Sequence, residues 1–82
     1  MVYWLLFVTK VRDNKLIAQF GKHLKKIREE RGLSQEELAN DSDIPINQVG
    51  RIERGEINPS LSTLHSIAKA LKIKLAQLMD GF

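Results

Sequence analysis

Apolar residues recur on different periods along this chain, and each change of period marks an element. The start, Val2-Tyr3-Trp4-Leu5-Leu6-Phe7-Val8 and on to Val11, is rich in aromatic and β-branched types. That composition predicts an extended strand. An isolated strand exposes an edge and cannot hold itself, so it must pair, and a second copy of the chain is the natural partner. Arg12-Asp13-Asn14-Lys15 is a polar break. The chain thus divides into an N-terminal extension, residues 1–15, serving as a dimerisation strand, and a domain spanning residues 16–82.

From Leu16 the period turns helical. Ile17, Phe20, Leu24 and Ile27 recur at three and four residues, with Lys22, Lys25, Lys26 and Glu29 off that stripe. Gly32 ends this helix as a residue just past a C-terminus should. Ser34 with Glu37 three residues on forms a capping box and starts a second helix, with Leu38 and Ala39 inside, ending near Ser42-Asp43. Pro45 opens a third helix, where proline is tolerated; Val49 and Ile52 face inward and Gly55 stops it. Ser60 caps a fourth helix lined on one side by Leu61, Leu64, Ile67, Ala68 and Leu71. A last short helix holds Leu75, Leu78 and Met79. The expected fold class is therefore all-α, a body of five short helices behind an extended segment.

Eighty-two residues make one small domain with a single modest core. With no cysteine, disulfides and thiolate metal sites are excluded. His23 and His65 lack ligand spacing and read as solvated or packed residues. Neither a metal nor another cofactor is expected. No run approaches the about 20 apolar residues of a membrane span. The apolar start lacks the basic region and cleavage site of a secretory signal, so a cytoplasmic protein is expected. The net charge of +3 is uneven: residues 1–33 carry eight Lys or Arg against three acids, and residues 34–82 carry five against seven. A basic first third suits phosphates or is simply a solvated helix face, and Lys22, Lys25 and Lys26 read as the latter. Glu29-Glu30 and Glu36-Glu37 are adjacent pairs that diverge on their helices, and no nucleophile–base arrangement or phosphate loop exists, so no enzyme is expected.

The third helix carries the chemistry. Away from Val49 and Ile52 it offers Ile46, Asn47, Gln48, Gly50 and Arg51. Asn and Gln can bond adenine through two hydrogen bonds, Arg can grip guanine, and Ile46 can pack on a thymine methyl. Two short helices joined by a tight bend, the second bearing such side chains, suit the DNA major groove.

The chain from Phe20 to Met79 resembles the phage repressor and Cro type of helix-turn-helix protein, the XRE family. The matching runs are Ile27-Arg28-Glu29-Glu30-Arg31-Gly32-Leu33-Ser34-Gln35-Glu36-Glu37-Leu38-Ala39, Arg51-Ile52-Glu53-Arg54-Gly55, Asn58-Pro59-Ser60-Leu61 and Ile67-Ala68-Lys69-Ala70-Leu71. The resemblance implies a repressor-like DNA-binding domain. It implies that Ile46, Asn47, Gln48 and Arg51 read bases, that Gln35, Arg54 and Gly55 hold phosphates, and that Arg28 and Glu53 form an internal ion pair. Two positions depart from the pattern. Asp43 replaces the usual turn glycine; aspartate tolerates a left-handed backbone, but its charge opposes phosphate. Pro45 replaces the usual Ser or Thr, so the third helix loses its side-chain cap.

The expected function is a sequence-specific transcriptional regulator, a repressor, binding a palindromic double-stranded DNA operator as a homodimer. The competing expectation is a protein-interaction module, such as the antitoxin of a toxin–antitoxin pair, favoured by the apolar segment at Tyr3, Trp4, Leu5, Phe7 and Val8. The dimer interface is left between that segment and the last helix, around Leu75, Leu78 and Met79.

Overall fold

The computed structural model describes residues 12–82, in which five helices follow one another. They are α1 (Asn14–Glu30), α2 (Gln35–Ser42), α3 (Ile46–Glu53), α4 (Leu61–Ala70) and α5 (Leu75–Leu78). No strand occurs among the described residues. The strand expected at residues 2–11 lies outside them.

Local chemistry sets most boundaries. Asp13 accepts a hydrogen bond from the Leu16 amide at 2.9 Å, so α1 starts at Asn14, two residues ahead of the apolar stripe. Gly32, at φ 72°, reverses the chain after α1, and the Leu33 amide returns to the Arg28 carbonyl. At α2 the Glu37 amide donates to Ser34 Oγ and the Ser34 amide to Glu37 Oε1, both at 3.0 Å, closing the capping box. The Ser34 amide first, and the Ser34 hydroxyl second, hold the Glu37 carboxyl below its ordinary pKa. Ser60 caps α4 by accepting from the Thr63 amide.

The core is shared by all five helices. Phe20 and Leu24 of α1, Leu38 and Ala39 of α2, Val49 and Ile52 of α3, Ile67, Ala68 and Leu71 from α4 and its end, and Leu78 of α5 form one buried cluster. Burial of each large aliphatic side chain contributes about 1.5–3 kcal/mol. α3 packs on α1 and α2, while α4 packs on α2 and α5. The C-terminus folds back on α1. His23 Nε2 donates to the Leu78 carbonyl at 2.9 Å, and the Phe82 ring meets Phe20 edge-on at 5.6 Å. His23 is thus a packed residue.

Two apolar expectations change. Leu61 heads the α4 stripe but stands 71% exposed, because it occupies the first helical position, outside the packed faces. In the last helix Leu78 is fully buried while Met79 is 42% exposed. Leu78 is consequently unavailable to a dimer interface.

One close approach was invisible along the chain. A Cβ at Gly21 would lie 2.5 Å from the Ile52 carbonyl oxygen and 2.6 Å from that of Glu53. Only glycine lets α1 cross the end of α3 at this distance.

Candidate nucleic-acid interface

The turn between α2 and α3 fixes the recognition geometry. Asp43 takes the left-handed conformation, at φ 57° and ψ 42°, as its short polar side chain allows. The Ile44 amide then bonds the Ala39 carbonyl, closing α2 before Pro45 opens α3. Pro45 makes no side-chain cap, and its carbonyl accepts from the Gln48 and Val49 amides.

α3 has two distinct faces. Val49, Ile52 and Glu53 are buried. Ile46, Asn47, Arg51 and Arg54 are exposed, and Gln48 is half-buried. Asn47, Arg51 and Arg54 stand four and three residues apart, so they share one stripe. Gly50 does not belong to the open face: it is buried, because Arg54 lies over it and α2 abuts it. A Cβ there would come within 2.9 Å of Arg54 Nη1 and 3.7 Å of Gln35 Oε1.

Beneath this surface, Arg28 Nε donates to Glu53 Oε2 at 2.6 Å and Arg28 Nη2 to Glu53 Oε1 at 3.1 Å. Arg28 Nη1 donates to the Leu33 carbonyl, and Gln35 Nε2 donates to Glu53 Oε1 at 2.9 Å. Glu53 therefore ties α1, the start of α2 and the end of α3 together. Its hydrogen bond raises the Arg28 pKa more than burial lowers it, so the guanidinium is charged. Among the described residues no buried side-chain polar atom lacks a partner.

A helix-turn-helix family model, HTH_3, matches residues 24–78. The chain belongs to that family. It is 37% identical over 60 residues to the HTH-type transcriptional regulator DdrOP3 of Deinococcus deserti, covering 73% of this chain and 46% of that protein. It is 41% identical over 59 residues to the immunity repressor protein of Bacillus phage phi105, covering 72% of this chain and 41% of the repressor. The chain thus spans under half the length of these two relatives. Among solved structures, the restriction-modification controller protein C.AhdI from Aeromonas hydrophila superposes with a TM-score of 0.74 at 40% identity, covering 76% of this chain and 94% of that one.

Within this HTH_3 domain the structure brings Gln35, Gly50 and Arg54 side by side and sets Asn47 and Arg51 along the same helix. Gly55, at φ 73°, sits against Ala18: a Cβ there would approach the Ala18 Cα to 2.9 Å. Lys22, Lys25 and Lys26 are all exposed.

The sequence pattern passed over Glu56, which lies beyond α3 and outside any helical spacing. The left-handed turn at Gly55 folds it back, and its amide bonds the Arg51 carbonyl at 2.9 Å. Its Oε2 lies 2.6 Å from Arg54 Nε and its Oε1 lies 3.6 Å from Arg51 Nε. The Arg54 hydrogen bond holds the Glu56 carboxyl below its ordinary pKa; desolvation, the next effect in size, opposes it, and the charges of Arg54 and Arg51 lower it further. The only sequence signal was the C-capping glycine one residue before it.

Proposed function

We propose that this protein is a transcriptional regulator that binds double-stranded DNA, placing α3 in the major groove and acting as a repressor at a palindromic operator. The observation that carries this reading is the exposed stripe of Asn47 and Arg51 on α3, continued by Arg54 at its C-terminal cap and held by a buried inner face. Such a rigid helix presents donors in the arrangement that base edges accept. Membership of the helix-turn-helix family supports it, as do relatives named as a transcriptional regulator, an immunity repressor and a restriction-modification controller. These relatives lend nothing to the toxin-binding alternative.

In this reading Asn47, Gln48 and Arg51 read bases with Ile46 beside them, while Gln35, Arg54 and the backbone at Gly55 hold the phosphate strands. Gln35 is suited to that task because Glu53 fixes its amide at the start of α2. The capping box occupies the amides of Ser34 and Glu37, which leaves the first-turn amides of Gln35 and Glu36 facing outward toward an anion.

A homodimer suits a palindrome, with half-sites about 34–36 Å apart. Leu16, Met79 and Phe82, each at least 38% exposed, border an apolar groove of about 80 Å³, and together with residues 2–11 they are the proposed dimer surface. Deletion of residues 2–11, with the mass measured by sedimentation, separates the two contributions. A truncated chain that dimerises as tightly as the full one removes the N-terminal segment from the interface.

Selection of bound sequences from a random duplex pool tests the function. Enrichment of an inverted repeat supports a dimeric operator-binding protein. Salt-sensitive binding with no preferred sequence overturns sequence-specific regulation.

A further inference from the structure

Glu56 stands on the face proposed to meet DNA, where an acidic group opposes phosphate, yet the fold holds it there at every polar group. Its amide bonds the Arg51 carbonyl at 2.9 Å, and its carbonyl accepts from Arg12 Nη2 at 3.0 Å. Its two carboxylate oxygens face the Nε atoms of Arg54 and Arg51, at 2.6 Å and 3.6 Å. All three side chains are about half exposed, so the cluster is open to a ligand.

The contacts engage the Nε edge of each guanidinium. Neither arginine donates an Nη hydrogen bond to Glu56, so these groups can still donate to an acceptor. The charge, however, is shared. Two arginines and one glutamate present a net +1 to the phosphates where the arginines alone would present +2. A phosphate strand therefore gains less from this cluster than its two arginines suggest. A guanine edge beneath Arg51 still gains two directional hydrogen bonds, which depend on geometry more than on net charge.

We propose that Glu56 is a specificity-determining residue: its carboxylate offsets the charge of Arg51 and Arg54, weakening binding to phosphate alone while sparing the base contact of Arg51. This rests on the reading of the α3 outer face as DNA-facing. Discrimination is raised by lowering affinity for the wrong duplex, a repulsive device that acts alongside the attractive contacts.

The test uses the full chain and its Glu56→Gln variant, which keeps the side-chain shape and removes the charge. Binding is measured by fluorescence anisotropy over a range of salt, against the duplex enriched from the random pool and against a scrambled duplex of equal length. The expected result is tighter binding of the scrambled duplex by the variant, with a plot of log K against log salt steeper by about 1. One added charge makes about an eightfold difference for each tenfold drop in salt. Affinity for the enriched duplex rises less, so the ratio between the two falls. The same substitution in an Arg51→Ala/Arg54→Ala background is expected to lose most of this gain.

An unchanged salt slope overturns the proposal. So does weaker binding of the enriched duplex by the variant, which would make Glu56 a support for Arg51 instead. A gain that persists undiminished without the two arginines overturns the route through them. If the unaltered protein binds neither duplex, the DNA reading itself fails, an outcome distinct from equal behaviour of the two proteins on DNA they both bind.

Discussion

Two ion pairs lie at the end of α3, and both close to 2.6 Å. In one, Arg28 and Glu53 have side chains only 9% and 3% exposed. In the other, Arg54 and Glu56 are 59% and 46% exposed. The same distance serves opposite purposes. Arg28 and Glu53 have lost their water, and each needs the other together with Leu33 and Gln35 to satisfy its charge and donors. Arg54 and Glu56 keep their water, so either can leave the pair at little cost and meet a ligand instead. Glu53 and Glu56, three residues apart on the chain, thus hold the scaffold and govern the surface respectively. Burial, rather than length, decides what an ion pair does.

The largest effect is expected from Glu53→Ala. It strands a buried guanidinium and is expected to cost about 3–5 kcal/mol. Thermal or denaturant unfolding measures it, and with about 4–8 °C per kcal/mol in a domain this size the midpoint falls by more than about 12 °C. A loss no larger than that of Arg54→Ala would erase the distinction between the two pairs.

Next in size is the pair of glycines that mirror the two ion pairs. Gly21→Ala drives a Cβ into the backbone of Ile52 and Glu53 and is expected to cost about 1–3 kcal/mol. Gly50→Ala meets only the tip of the Arg54 side chain, which can move. The gain in helix propensity, up to about 1 kcal/mol, then raises the melting midpoint while displaced Arg54 weakens DNA binding. The same unfolding assay, run beside a DNA titration, checks both.

On the outer face, Arg51→Ala is expected to lose about 1–3 kcal/mol of discrimination between bases and leave the fold intact. Gln35→Ala should instead weaken every sequence alike. Titrations of matched and single-substituted duplexes distinguish the two, and an Arg51→Ala variant with unchanged base preference would remove Arg51 from the reading set.

The smallest effect is the pH dependence of the exposed pair. The folded Glu56 pKa lies below its ordinary value of 4.5, so its contribution to stability is complete above that value and fades as pH falls through the lower folded pKa. The slight difference in melting midpoint between the protein and Glu56→Gln should vanish in acid. A difference that grows on acidification would contradict the pairing.

The helices, their order and the helix-turn-helix were legible in the sequence because their signals are local. Ser34 and Glu37 meet over three residues, Gly32 and Gly55 supply the backbone twist at their own positions, and Asp43 tolerates a left-handed turn by its own chemistry. The outward stripe of α3 also follows from helical spacing once Val49 and Ile52 are placed inside. Other facts depend on residues that only packing brings together. Phe82 reaches Phe20 from the far end of the chain, and Gly21 owes its necessity to the distant carbonyls of Ile52 and Glu53. Leu61 and Met79 carry the same apolar signal as their buried neighbours, and only the packed faces leave them in water. The sequence alone therefore determined the elements and the candidate reading face, whose periods and caps act within a few residues. Packing alone settled that Gly50 is covered and that Gln35 is fixed by Glu53, because burial and partners are set by whichever chain comes alongside; Glu56 meets Arg54 and Arg51 over only two and five residues, but no helical spacing signals it, since the left-handed turn at Gly55 makes the contact.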